Sequence, residues 1–158
     1  MSEEMRVMVA VDDSAGSERA LDYAGALLGN VPHARLCLLH VLGPLPAELA
    51  STEPPSDDQR DAQAAWMMEA REGARPLLER AKQALLGAGI GGDAVESHTV
   101  DSPEGDLAKA ILAAAREARC DTIVVGRDAI SWAPQLFHRH VGEDVVHEGR
   151  GVAVWVVG

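Results

Sequence analysis

The residues best equipped for chemistry sit at a few points of the 158-residue chain. Asp12-Asp13-Ser14 follows the first apolar run, and paired carboxylates in such a place are suited to holding Mg²⁺. A phosphoacceptor site built on them needs a further Asp closing a later strand and a Lys closing another. Both lysines, Lys82 and Lys109, fall in helical patterns, which excludes that chemistry. His138, His140 and His147 gather towards the C-terminal end, with Glu143 and Asp144 between the last two. Their spacing is not HExxH, and they read as a solvated helix face rather than a metal site. Ser14 and Ser131 lack the Gly-x-Ser-x-Gly setting of an activated serine. Cys37 and Cys120 have no CxxC spacing and stand among apolar residues. They read as small buried hydrophobes with free thiols, Cys37 lying inside a strand where a thiolate is disfavoured. Neither a disulfide nor a metal site is expected. Arg127, Arg139 and His140 place three basic side chains on one segment of a chain whose formal charge is −11. That pattern suits an anion, although solvated positions on a loop and a helix would look the same.

The elements that must position these groups are legible from hydrophobic patterning. Residues 6–11 (RVMVAV) form a short apolar run, read as a strand buried on both faces. Ser14 or Ser17 then caps a helix whose Ala20, Leu21, Ala24, Leu27 and Leu28 recur at helical spacing, closed by Gly29-Asn30. Residues 36–42 (LCLLHVL) are the second strand, and the strand–helix–strand length makes the pair parallel. Residues 43–56, with Pro44, Pro46, Pro54 and Pro55, read as a mobile surface loop. A long helical pattern covers 57–86, with a break expected near Gly73 or Pro76. On it, Trp66-Met67-Met68 reads as core or subunit contact. Residues 94–100 alternate like a half-exposed strand, 102–118 are helical, and 122–125 (TIVV) form a third buried strand ending at Gly126. A helix over about 134–147 and a last strand, 152–157, complete the chain.

The order β-α-β-α-β-α-β-α-β predicts a single α/β domain over residues 1–158. Its fold would be a doubly wound, five-stranded parallel sheet with helices on both faces. Ligands of such sheets bind at the carboxyl ends of the strands, where strand order reverses. That rule selects Asp12, Asp13 and Ser14, then His40, Val41 and Leu42, then Gly126, Arg127, Asp128 and Ala129. A helix start near Pro134 adds N–H groups for an anion.

These residues resemble the universal stress protein family. The resemblance rests on Val11-Asp12-Asp13-Ser14 after the first strand, Leu38-Leu39-His40-Val41 closing the second, and Gly105-Asp106-Leu107-Ala108 with Ile111-Leu112. Asp121-Thr122-Ile123-Val124-Val125-Gly126 and the Val-rich final strand complete it. It implies a dimer of small α/β subunits made during stress and acting as a regulator. It also implies that Asp12 and the Val41 backbone contact an adenine base, while ATP-binding members carry Gly-x2-Gly-x9-Gly-Ser/Thr after the fourth strand. Glycines there let the backbone approach the phosphates, and the hydroxyl with neighbouring N–H groups receives them. Here Gly126 matches the first glycine, Ala129 replaces the second, and Arg139 and His140 stand at the Gly-Ser/Thr pair. Two readings follow. In one, the phosphate seat is lost and the protein resembles the family's non-binding branch. In the other, Arg127, Arg139 and His140 seat a different anion or a shorter nucleotide such as AMP. A slow, Mg²⁺-dependent ATPase is a third reading, with Asp13 or Asp128 as base or metal ligand. For each bland alternative there is a counterpart: Asp12 as a helix cap, Val41 as strand core.

Charge and composition bound the rest. The net charge of −11 argues against a nucleic-acid surface and against a polybasic membrane anchor. The acidic start Met1-Ser2-Glu3-Glu4 is no signal peptide, and no apolar run approaches the ~20 residues of a membrane span; a cytoplasmic protein is expected. Aromatic residues make up 3% of the chain, so Val, Leu, Ile and Ala must build the core. Val152, Val154, Trp155 and Val156 form a strand which, at a sheet edge, would pair with a second copy about a two-fold axis. The family's dimers are similar in using the last strand. A homodimer read by a protein partner is therefore the expected assembly.

Overall fold

The computed structural model describes residues 4–50, 53–102, 106–127 and 151–158. Within them lie five strands and three helices: β1 (Met5–Ala10), α1 (Ala15–Leu28), β2 (Ala34–Val41), α2 (Asp57–Gly87), β3 (Val95–Val100), α3 (Leu107–Glu117), β4 (Thr122–Gly126) and β5 (Ala153–Val157). The helix expected over 134–147, and with it Asp128, Ala129, Arg139 and His140, lies outside the described residues.

All strand pairs are parallel, in the order β3-β2-β1-β4-β5. The chain winds outward from β1 to β3, crosses back over β1, and winds outward again through β4 and β5. Right-handed crossovers place helices on opposite faces when the winding direction reverses. Accordingly α1 and α2 cover one face, with Val7, Val9, Val11, Leu36, Leu38 and Val124 beneath them. On the other face α3 covers Met8, Ala10, Cys37, Leu39, Val41, Ile123 and Val125. Strands buried on both faces have no polar side to alternate with, which is why β1, β2 and β4 read as continuous apolar runs.

Local chemistry sets the helix ends. Ser14 caps α1, its side chain accepting from Ser17 N at 3.1 Å. Ser56 and Gln59 form a reciprocal capping box at the start of α2. At the far end of α2, Ile90 N reaches back to Leu85 O while Gly89 takes φ +101°, a left-handed closure that favours glycine.

Four expectations are corrected. The long helix α2 is unbroken through Gly73 and Pro76. Pro76 is exposed, so the carbonyl deprived of its N–H partner faces water rather than the core. Leu27 points to solvent and is 45% exposed. The third helix starts at Leu107, because Asp106 caps it by accepting from Lys109 N, while Ser102 is buried ahead of it. Finally, Trp66-Met67-Met68 is not core, which corrects that half of its reading alone: Trp66 and Met67 are half-buried and Met68 is exposed, and the buried face of α2 begins only at Ala74 and continues through Leu78, Ala81 and Leu85. The loop expected to be mobile is tied to this exposed half of α2, where Gln63 Nε2 donates to Leu49 O at 2.7 Å.

Candidate functional site

Strand order reverses between β1 and β4. Their ladder ends at Val9↔Val124, yet β4 continues to Gly126 by pairing with β5, up to Gly126↔Val157. On its other side β1 stays with β2 one step longer, Val11 N donating to Leu39 O at 2.8 Å. The sheet therefore splits at the carboxyl ends of its central strands, the position where doubly wound sheets hold ligands. Asp12 follows β1, Val41 closes β2 and Gly126 closes β4, so the three positions expected on the adenine side come to one end of three adjacent strands.

Each is held by its neighbours. Asp12 is 7% exposed; its N–H donates to Ser17 Oγ at 2.8 Å, and its Oδ1 accepts from Ser14 N at 2.8 Å. It shapes the turn into α1, and Ser14, not Asp12, is the helix cap. Asp13 beside it is exposed. The Val41 side chain belongs to the core under α3. Its backbone has a different outlook. Leu39 O faces β1 and Leu42 N faces β3, bonding Val100 O at 2.8 Å. Alternation along the ladder then turns the Val41 N–H and C=O towards β1, beyond the point where β1 ends. Both readings of Val41 thus hold at once, core through its side chain and cleft through its backbone. His40 Nδ1 lies 2.9 Å from Val11 O and braces the same turn. Gly126 is buried and Arg127 exposed, with Arg127 N bonded to Val157 O.

Two cavities flank this end of the sheet. One, of about 350 Å³, lies between the end of β1 and helices α1 and α2. Its described lining sets four carboxylates, Asp12, Asp13, Glu18 and Asp22, against the guanidinium of Arg80. Such a balance disfavours an anion. The second, of about 280 Å³, lies under residues 43–45 and is lined by Arg60, Gln63, Met67, Asp101 and Ser102 among others. The Ser102 hydroxyl is buried and has no hydrogen-bond partner among the described residues.

At the opposite end of the sheet lies a cluster that sequence reasoning missed. Arg6 reaches Glu96 Oε2 at 3.2 Å and Cys37 Sγ at 3.7 Å, and His98 Nε2 lies 3.4 Å from the same Glu96 oxygen. Coupling to the Cys120 thiol, helped by the Arg6 charge, outweighs burial and holds the Cys37 thiol below its ordinary range, while the Cys120 thiol is pushed up. Cys37 and Cys120 are buried free thiols of the core, as expected, but Cys37 also faces the Arg6 guanidinium and Glu96. No sequence pattern announces this, because it depends on the register that sets Cys37 opposite Glu96.

Among the described residues no helix is long and apolar enough to cross a membrane. Residues 5–157 match the family described as the universal stress protein family. Among curated proteins no sequence matches the chain. Solved structures share its fold. A universal stress protein family member from Burkholderia pseudomallei superposes with a TM-score of 0.68 at 24% identity, over 98% of this chain and 96% of that one. A universal stress protein in complex with cAMP gives 0.62 at 20% identity over 99% of each chain. The Archaeoglobus fulgidus universal stress protein in complex with dAMP gives 0.59 at 20% identity over 98% of each.

Proposed function

From the premise that the chain belongs to the universal stress protein family, we propose that it is a dimeric regulatory module rather than an enzyme, and that it has no seat for the triphosphate of ATP. One observation carries this reading. Where ATP-binding members offer Gly-Ser/Thr to the phosphates, this chain has Arg139-His140, and Ala129 stands for the preceding glycine. Side chains at close-approach positions occupy the space the phosphates need. The acidic cavity beside Asp12 adds to the case, since four carboxylates repel a polyphosphate more than Arg80 attracts it.

A second reading has its own support. The split between β1 and β4, with the Val41 backbone turned towards it, is the geometry of an adenine-side pocket. Two relatives of the same fold hold nucleoside monophosphates. A short nucleotide such as AMP would use this pocket without the lost seat.

The test is the double change Arg139→Gly, His140→Ser. ATP affinity created by it, at least tenfold above the parent (about 1.4 kcal/mol), is the expected result. Loss of a pre-existing ATP affinity would show instead that Arg139 and His140 are themselves the phosphate seat. Phosphate release abolished by Asp13→Ala would mark a slow ATPase and contradict the regulatory reading.

The proposed dimer forms through β5. This strand lies at the sheet edge, and Val156 is 50% exposed. Ala153 N and Val157 O bond β4, so the backbone groups of Val154 and Val156 point outward, ready for a second copy. Trp155 is held from the other side by an edge-to-face contact with Tyr23, ring centroids 6.3 Å apart. Val156→Pro removes an outward donor and leaves the β4 ladder whole. Sedimentation of that variant is expected to find monomers; an unchanged dimer would rule out β5 pairing.

A further inference from the structure

The end of the sheet away from the cleft carries a donor set with the dimensions of a metal site. Cys37 on β2 stands directly opposite Glu96 on β3, and His98, two residues on, shares that face. Cys37 Sγ lies 3.8 Å from Glu96 Oε2, which lies 3.4 Å from His98 Nε2, and all three atoms fall within 4.8 Å of one another. Zinc bonds of ~2.0–2.3 Å in a tetrahedron put neighbouring donor atoms roughly 3.3–3.8 Å apart, so the donors are already near coordinating separation. Three protein donors leave the fourth tetrahedral position to water.

We propose that Cys37, Glu96 and His98 bind a thiophilic divalent cation of the Zn²⁺ class. Thiolate, imidazole and carboxylate together select such an ion over Mg²⁺ or Ca²⁺, which take oxygen donors. The Cys37 thiol is buried, whereas the side chains of Glu96 and His98 are 40% and 42% exposed, so the site is open on one side for entry. Arg6 is the built-in competitor. Its Nη2 lies between Cys37 and Glu96, where it supplies the positive charge that the ion would bring. Nε is anchored on Ala118 O at 2.8 Å, and Nη1 lies 3.9 Å from Glu4, which receives the guanidinium when Nη2 is displaced.

The site lies at the opposite end of the strands from Asp12 and Gly126, so it stands independently of any nucleotide reading. Titration of the full, reduced chain with Co²⁺ tests it. A near-ultraviolet sulfur-to-cobalt charge-transfer band is expected at one equivalent, abolished by added Zn²⁺ and absent from Cys37→Ser. His98→Ala, at a half-exposed position that leaves the core intact, should weaken binding by about 10-fold or more. Arg6→Met, which removes the competing charge, should tighten it. Zn²⁺ should also raise the melting temperature of the parent but not of His98→Ala. No charge-transfer band in the parent, or the same band and affinity in Cys37→Ser and His98→Ala, would overturn the proposal.

Discussion

Gly29→Ala is expected to destabilise the protein by about 3 kcal/mol, at the upper end of overpacking costs. A Cβ at Gly29 would stand 2.3 Å from Ala88 O and 2.9 Å from Gly25 O. Both obstacles are backbone, so no side chain can turn aside to make room. Ala88 caps α2 inside the left-handed closure at Gly89, and Gly89 itself approaches Gly29 O. The ends of α1 and α2 must therefore part, and Leu28 and Leu85 lose their mutual burial with them. For a chain of this size each 1 kcal/mol lowers the melting temperature by ~2–4 °C, which makes a fall of roughly 6–12 °C in a circular-dichroism melt. Gly73→Ala is the matched control. It lies on the exposed half of α2 with nothing within 4 Å of the added methyl, and a gain of about 0.5–1 kcal/mol is expected. A Gly29→Ala melt within ~2 °C of the parent would contradict the close approach of the two helices.

The second large effect belongs to Leu39→Ala, expected to cost about 3–4 kcal/mol. Leu39 is fully buried on the interior strand β2, under α3 and in one cluster with Met8, Ile111 and Ile123. Its neighbours are themselves fully enclosed, so the vacated volume cannot collapse and the cavity cost adds to the lost transfer energy. Its carbonyl accepts from Val11 N, one residue before Asp12, so the loosened strand end also loosens the cleft. Leu27→Ala, made on an exposed leucine of similar size, should change stability by less than about 0.5 kcal/mol. Chemical denaturation of the two variants separates them. Equal midpoints would mean that β2 is not the centre of the core.

Much of this architecture was legible in the sequence for identifiable reasons. β1, β2 and β4 are sandwiched between helices and so are apolar over most of their length. Their order with the helices implied a parallel, doubly wound sheet, and the carboxyl-end rule then pointed to Asp12, Val41 and Gly126. The errors came from features that patterning cannot weigh. A helix survives Pro76 when the orphaned carbonyl faces water, and exposure is decided by packing rather than by residue type. The helix expected to start at Ser102 starts at Leu107, because Asp106 caps it and Ser102 is buried ahead of it. The charged cluster was wholly hidden. Arg6 was read as a strand end, Cys37 as core, Glu96 and His98 as the polar alternation of a half-exposed strand. Only the β2–β3 register and the turn after α3 bring them together.

The most direct measurement is calorimetric titration of the purified protein with ATP and with AMP, Mg²⁺ present. If the β- and γ-phosphates have no seat, ATP binds no tighter than AMP, within about twofold, whether or not AMP itself binds. Micromolar binding of ATP at least tenfold tighter than AMP, a difference of about 1.4 kcal/mol assignable to the phosphate tail, would contradict the account.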